Sequence, residues 1–167
     1  SVIQNSGEGI GLFRTEFLFM DRQSEPSEEE QFEAYSTVAK AMDGKEVIIR
    51  TLDVGGDKDI PYLNIEKEEN PFLGHRAIRY CLDNKELFKK QLRALLRASV
   101  YGNIKIMLPL VTCVEEVRQA KALIEECKEE LKSEGKEYRS VDVGIMVETP
   151  AAVFISDILA REVKFFS

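Results

Sequence analysis

Three apolar runs in this sequence end on a charge. Leu12-Phe13 runs into Arg14, Val47-Ile48-Ile49 into Arg50, and Val143-Gly144-Ile145-Met146-Val147 into Glu148. An unpaired guanidinium inside a core loses several kcal/mol of hydration that nothing returns. Arg14 and Arg50 are therefore expected at strand exits, facing something negative. Two guanidiniums in one mouth can fork onto phosphate or carboxylate oxygens, at about 1.5 to 3 kcal/mol per charge-assisted hydrogen bond. A carboxylate in the same mouth would repel that anion unless a cation lies between them. Glu148 thus points to a divalent metal, and Mg2+ is the usual oxygen-liganded partner of a phosphorylated substrate. The chemistry implied is a site for a small phosphorylated anion bridged by magnesium.

Each residue also has a plainer reading. Arg14 and Arg50 could be structural ion pairs at a strand rim, although two identical exits in one sheet weigh against that. Glu148 could be a capped or paired rim carboxylate. Lys58, after the Gly55-Gly56 pair, could reach a phosphate, but a solvated loop explains it better. Cys81, Cys113 and Cys127 read as packing residues, and the acidic run from Glu125 to Glu134 as a solvated helix face.

The elements that must position these residues alternate. Ser27-Glu28-Glu29-Glu30 is a capping box, and Phe32, Tyr35, Val38, Ala39 and Met42 form a helical stripe stopped by Asp43-Gly44. A strand follows from Glu46 to Leu52, then a long irregular segment over 59–76 broken by Pro61 and Pro71. Asp83 with Glu86 is expected to cap a helix carrying Leu87, Phe88, Leu92, Leu95 and Leu96 inward, stopped at Gly102. Ile104 to Leu108 reads as a strand. Thr112 with Glu115 opens a helix with Val117, Ala120, Ile124, Cys127 and Leu131 on one stripe, ending by Gly135. Val141 to Val147 is the next strand, a short helix covers about 151–160, and Val163 to Ser167 begins another strand.

Strand and helix in strict alternation imply parallel pairing through right-handed crossovers. The strands look apolar on both faces, as helices on one side and a barrel interior or second helix layer on the other would require. A (β/α)8 barrel and an open doubly wound sheet both fit. About five strands are too few to close an eight-stranded barrel, which takes about 250 residues. The expectation is an α/β domain over 1–167 that is a partial (β/α)8 TIM barrel: five parallel strands with covering helices.

Composition narrows the class. At 167 residues the chain can bury roughly 70% of its unfolded surface. A formal charge of -7 argues against nonspecific nucleic-acid binding. Three cysteines without CxxC spacing indicate neither a disulfide framework nor a zinc site and fit a reducing, cytoplasmic setting. No apolar run reaches the roughly 18 to 20 residues of a membrane span.

The segments GEGIGLFRTEFLFMDR, RTLDVGGDK, ENPFLGHRAIR, IMLP and VGIMVETPAA are long, collinear and chemically idiosyncratic. Together they resemble the phosphoenolpyruvate-binding barrel of the enzyme I family, the phosphoenolpyruvate-protein phosphotransferases of the bacterial sugar phosphotransferase system. The resemblance implies that Arg14 and Arg50 hold the phosphate of phosphoenolpyruvate, that Arg76 joins the same cationic ring, and that Glu148 is one of two carboxylates binding Mg2+. It also implies phosphoryl transfer to a histidine on a separate N-terminal domain, release of pyruvate, onward transfer to a phosphocarrier protein for sugar uptake, and a homo-oligomer. The family's Gly-Thr-Asn-Asp-Leu motif, a further arginine and the Cys-Gly-Glu segment that supplies the general acid are expected beyond Ser167, and the first barrel strand before Ser1. His75 is not the phosphoacceptor, whose Thr-Ser-His setting is not present. No catalytic group is expected within these residues, and the chain alone is expected to lack turnover. Pyruvate phosphate dikinases and phosphoenolpyruvate synthase share the Arg-Thr-Glu and Glu-Thr-Pro themes. A barrel fragment of either, or a non-catalytic assembly unit pairing its open sheet edges, is the alternative.

Overall fold

Among the described residues, the first three strands each lead on to a helix, and the capping and stop signals of these helices are local. In a computed structural model, residues 12–20, 24–52, 78–109, 114–145 and the backbone of 165–166 are described. Strand β1 (Leu12–Arg14) turns through a 3-10 segment (Glu16–Leu18) and leads to helix α1 (Glu28–Ala41). The Ser27 hydroxyl accepts from the Glu30 amide at 3.1 Å, and the Glu30 carboxylate accepts from the Ser27 amide at 3.4 Å. That is the reciprocal pairing the capping box predicts. At the far end, Asp43 and Gly44 take positive φ values of 50° and 81°, which closes the helix.

Strand β2 (Glu46–Arg50) precedes two consecutive helices, α2 (Ile78–Asp83) and α3 (Lys85–Ala98). The expected Asp83 cap is corrected here. Asp83 ends α2, Asn84 is the cap of α3 and makes no side-chain cap bond. Its side-chain amide donates back to the Tyr80 carbonyl at 2.9 Å, so it serves the end of α2 instead. After a 3-10 turn (Ser99–Tyr101) comes β3 (Asn103–Leu108), then α4 (Val114–Ser133), β4 (Asp142–Ile145) and β5 (Phe165–Phe166). Gly102 is extended, at φ -178°, and is glycine for a different reason: a Cβ there would sit 2.8 Å from both the Cβ and the carbonyl oxygen of Ala39. The entry to β3 lies against α1 too closely for any side chain.

The sheet is parallel throughout, in the order β1-β2-β3-β4-β5. Among the described strands, chain neighbours are sheet neighbours, without the reversal that defines a doubly wound sheet. Of the two architectures that alternation allowed, the singly wound one fits. Among the described residues, the fifth strand contributes the pairs Gly144 with Phe165 and Ile145 with Phe166.

Alternation along the strands separates two faces. Phe13, Ile49, Ile106 and Val143 pair across the sheet and join the core under the helices. Leu12, Ile48 and Lys105 pair on the other face and are only half-buried. The expectation of strands apolar on both faces is therefore corrected for the strand entries. There Lys105 reaches Glu46 at 3.4 Å and Asp142 at 3.8 Å.

Helix α3 is central to the outer layer, packing on α1 and on α4. Leu92, Leu95 and Leu96 are fully buried, as are Val117, Ala120, Cys127 and Leu131 on the α4 stripe. Burying a Leu side chain fully is worth about 1.5 to 3 kcal/mol, so these stripes fix which helix faces turn inward. The acidic end of α4 is not simply a solvated face. Arg93 on α3 reaches Glu28 at 2.6 Å, Glu130 at 2.9 Å and Glu134 at 2.6 Å, and Arg97 reaches Glu28 and Glu29, each at 2.6 Å. Lys89 bridges Glu126 at 3.0 Å and also Glu130. These contacts clamp α1, α3 and α4 together. The Arg93 contact holds the exposed Glu134 carboxyl down at about 2, and Lys89 holds Glu130 below the usual carboxylate range.

Candidate site at the carboxyl ends of β1 and β2

In parallel α/β folds the loops at the strands' carboxyl ends share one open face, and ligands bind there. Arg14 and Arg50 occupy that end. They are register partners on adjacent strands, on the face away from the helix layer, next to Met107 of β3. Adjacent strands lie about 4.8 Å apart, so the two arginines leave the sheet as neighbours.

The two are not equivalent. Arg14 is exposed, whereas Arg50 is 6% exposed. The charge of Arg50 is met by Glu16, whose Oε1 lies 2.6 Å from Nη2, with both side chains buried. Glu16 reaches it because the chain turns straight after β1: Thr15 is followed by the 3-10 segment, and the second apolar run divides. Phe17 becomes exposed, while Phe19 is fully buried in the core. Thr15, also fully buried, donates its hydroxyl to the Arg50 carbonyl at 2.9 Å. Thr15 and Glu16, directly after β1, thus grip Arg50 at its main chain and at its guanidinium. The structural ion pair weighed above for Arg50 exists, and it fixes where the guanidinium lies.

A buried polar chain stands behind this grip. Gln91 of α3 accepts from the Leu52 amide at 2.9 Å and donates from Nε2 to Thr15 Oγ1 and to the Tyr35 hydroxyl, both at 3.1 Å. Tyr35 donates to Gln31 Oε1 at 2.9 Å, and Gln31 Nε2 donates to the Pro26 carbonyl at 3.3 Å. Burial pushes the Tyr35 hydroxyl far above its ordinary value, so it stays a neutral donor. Cys81 of α2 points its thiol at the Leu52 carbonyl, 3.6 Å away, so the chain returns to the strand exit that it left after Leu52. Neither Glu16 nor this chain was singled out from sequence. A signal existed: Gln31 and Gln91 both fall on otherwise apolar helix stripes.

Arg76 and Glu148 lie outside the described residues, as do Lys58, His75, Cys113, the Thr112 cap and the helix expected over 151–160. The structure therefore brings together Arg14 and Arg50 of the proposed anion clamp. Cys81 and Cys127 are buried, and burial pushes the Cys127 thiol up to about 12, which suits packing and not nucleophilic chemistry. Among the described residues no three His, Cys, Asp or Glu side chains group as a metal site. Among those residues, too, no helix is long and apolar enough to cross a membrane.

A singly wound parallel α/β layer, with neighbouring arginines at the exits of its first two described strands, places the chain among parallel α/β domains with a cationic rim at the strands' carboxyl ends. A family model described as "PEP-utilising enzyme, PEP-binding domain" matches residues 1–167, and the chain belongs to that family. It is 58% identical over 167 residues to the phosphoenolpyruvate-protein phosphotransferase of Priestia megaterium and 59% identical to that of Staphylococcus carnosus. The corresponding Listeria monocytogenes protein is 58% identical. Each match covers 99% of this chain and 29% of the relative, so the chain spans less than a third of their length.

Proposed function

We propose that this chain is the phosphoenolpyruvate-binding part of a phosphotransferase that moves the phosphoryl group of phosphoenolpyruvate to a protein histidine and releases pyruvate. The observation that supports this reading most directly is the side-by-side register of Arg14 and Arg50, with Arg50 held by Glu16. A guanidinium carries five N–H donors in a rigid fork, so a carboxylate at Nη2 is compatible with an anion on another edge. The ion pair supplies what electrostatic catalysis needs: a cation already in place, with no reorganisation left for the moment of reaction.

In this reading Arg50 is the fixed arm and exposed Arg14 the arm that closes on the phosphoryl oxygens. A loose phosphoryl-transfer transition state spreads charge over those oxygens, which both cations would neutralise. Arg76 joins the ring. Glu148 is one ligand for Mg2+, and its hard carboxylate oxygen suits that ion. When bound, the magnesium neutralises charge on the substrate. Closure of the sheet into a full barrel, the general acid, the acceptor histidine and a second metal ligand would come from other parts of the protein; a phosphocarrier partner and pairing of copies in the cytoplasm belong to the same reading.

Calorimetric titration of the full-length protein with phosphoenolpyruvate and Mg2+ tests this. Arg50→Ala should weaken binding by about 100-fold or more, from loss of two charge-assisted hydrogen bonds. Unchanged affinity in the folded variant would remove the anion-clamp argument.

A further inference from the structure

We propose that Gln91, which touches no ligand in the reading above, is the positioning residue that sets the two strand exits in place for the anion. The inference rests on that reading of the site. Its basis is the direction of every bond around one side chain. The Leu52 amide can only donate, so the carbonyl oxygen of the Gln91 side chain must face it. That choice aims both Nε2 hydrogens at hydroxyl oxygens, those of Thr15 and Tyr35. Having accepted, each hydroxyl directs its own proton onward, Thr15 to the Arg50 carbonyl and Tyr35 to Gln31. Gln91 is 1% exposed, Gln31 1%, and Thr15 and Tyr35 are fully buried, so no water competes for these positions.

The consequence is local to Arg50. The backbone from Arg50 to Leu52 is held at four points: the Arg50 carbonyl by Thr15, the Thr51 amide by the Met107 carbonyl at 2.9 Å, the Leu52 amide by Gln91 and the Leu52 carbonyl by Cys81. Gln91 governs two of the four, one directly and one through Thr15. It also ties β1 to β2 at the residue beside Arg14. An apolar residue would serve the packing of α3 at lower desolvation cost. A buried hydrogen-bonded network with fixed donor and acceptor directions instead selects one arrangement of the backbone that carries the arginine.

The test uses the full-length protein, with pyruvate release from phosphoenolpyruvate followed at saturating Mg2+ and acceptor. Gln91→Met keeps the volume and removes the amide. Thr15→Val keeps the shape and removes the hydroxyl, and Thr15→Ser restores it. The expected result is a KM for phosphoenolpyruvate raised about tenfold in Gln91→Met and Thr15→Val, with kcat within about twofold, and near wild-type values in Thr15→Ser, since each hydrogen bond lost shifts the exits without removing a charge. A fall in kcat at unchanged KM, the mark of less folded protein, would overturn the proposal, and so would an unchanged KM. If Gln91→Met fails to fold, the Thr15→Val and Thr15→Ser pair decides it. Arg50→Lys in the same assay separates the two levels. Unchanged KM in Arg50→Lys would sink the anion-site reading itself, whereas a raised KM there with unaltered Thr15→Val sinks only the positioning role.

Discussion

Removing Glu16 while keeping Arg50 should be far more damaging than removing both. The pair is 2.6 Å apart with side chains 7% and 9% exposed, so neither charge can turn to water when the other is lost. Deleting one partner of a buried pair costs about 3 to 5 kcal/mol, because the charge left behind loses that partner. Glu16→Gln leaves an oxygen that can still accept from Nη2, which places it near the lower end, about 3 kcal/mol. Arg50→Met leaves a buried carboxylate without this guanidinium and should cost a similar amount. In the double variant neither charge remains, and replacing a buried pair with neutral groups of similar volume is often close to neutral. The two changes should therefore be strongly non-additive, with a coupling of about 2 kcal/mol or more. For a domain of this size 1 kcal/mol is about 2 to 4 °C in Tm. Each single variant should melt roughly 6 to 12 °C below wild type and the double should recover most of that loss, measured by calorimetry on the transition of this domain. Additive losses, or single variants within about 2 °C of wild type, would refute the claim that Arg50 depends on Glu16.

Two further outcomes follow from the fold. Gly102→Ala must push apart β3 and α1, since the new methyl meets Ala39 at 2.8 Å. Overpacking of this kind costs about 1 to 3 kcal/mol, and an unchanged Tm would show that the contact relaxes freely. The interhelical clamp should give stability a pH dependence. Glu134 is depressed to about 2 by Arg93, Glu130 is lowered by Lys89, and Glu29 is lowered by Arg97. A carboxylate depressed in the folded state stabilises above its unfolded value and loses that contribution as pH falls through its folded value. Tm should thus fall between about pH 5 and pH 2, less steeply in Arg93→Met or in 1 M salt, which screens exposed charges. A wild-type Tm independent of pH across that window would contradict the clamp.

Much of this was legible before any coordinates. The Ser27 capping box, the α4 stripe and the parallel alternation rest on local periodicity, which a sequence displays directly. The exit positions of Arg14 and Arg50 were legible for the same reason, because an apolar run ending in a guanidinium leaves few places for the charge. What the pattern hid is long-range. That Glu16, 34 positions away, would turn back onto Arg50 depends on a 3-10 turn whose direction no spacing encodes. Asp83 looked like a cap because it precedes an apolar stripe, yet the short α2 before it takes Asn84 for its own end. Arg93 looked like an interchangeable helix cation, and its three glutamate partners come from α1, from α4 and from the residue just past the end of α4. It is therefore a poor control for binding studies, and exposed Lys132 is a better one.

The most direct test of the account is phosphoenolpyruvate affinity in the full-length protein carrying Arg14→Ala, Arg50→Ala or Lys132→Ala. The paired exits predict a loss of about tenfold or more for Arg14→Ala, a larger loss for Arg50→Ala, and wild-type affinity for Lys132→Ala. Equal affinities across the three folded variants would contradict it.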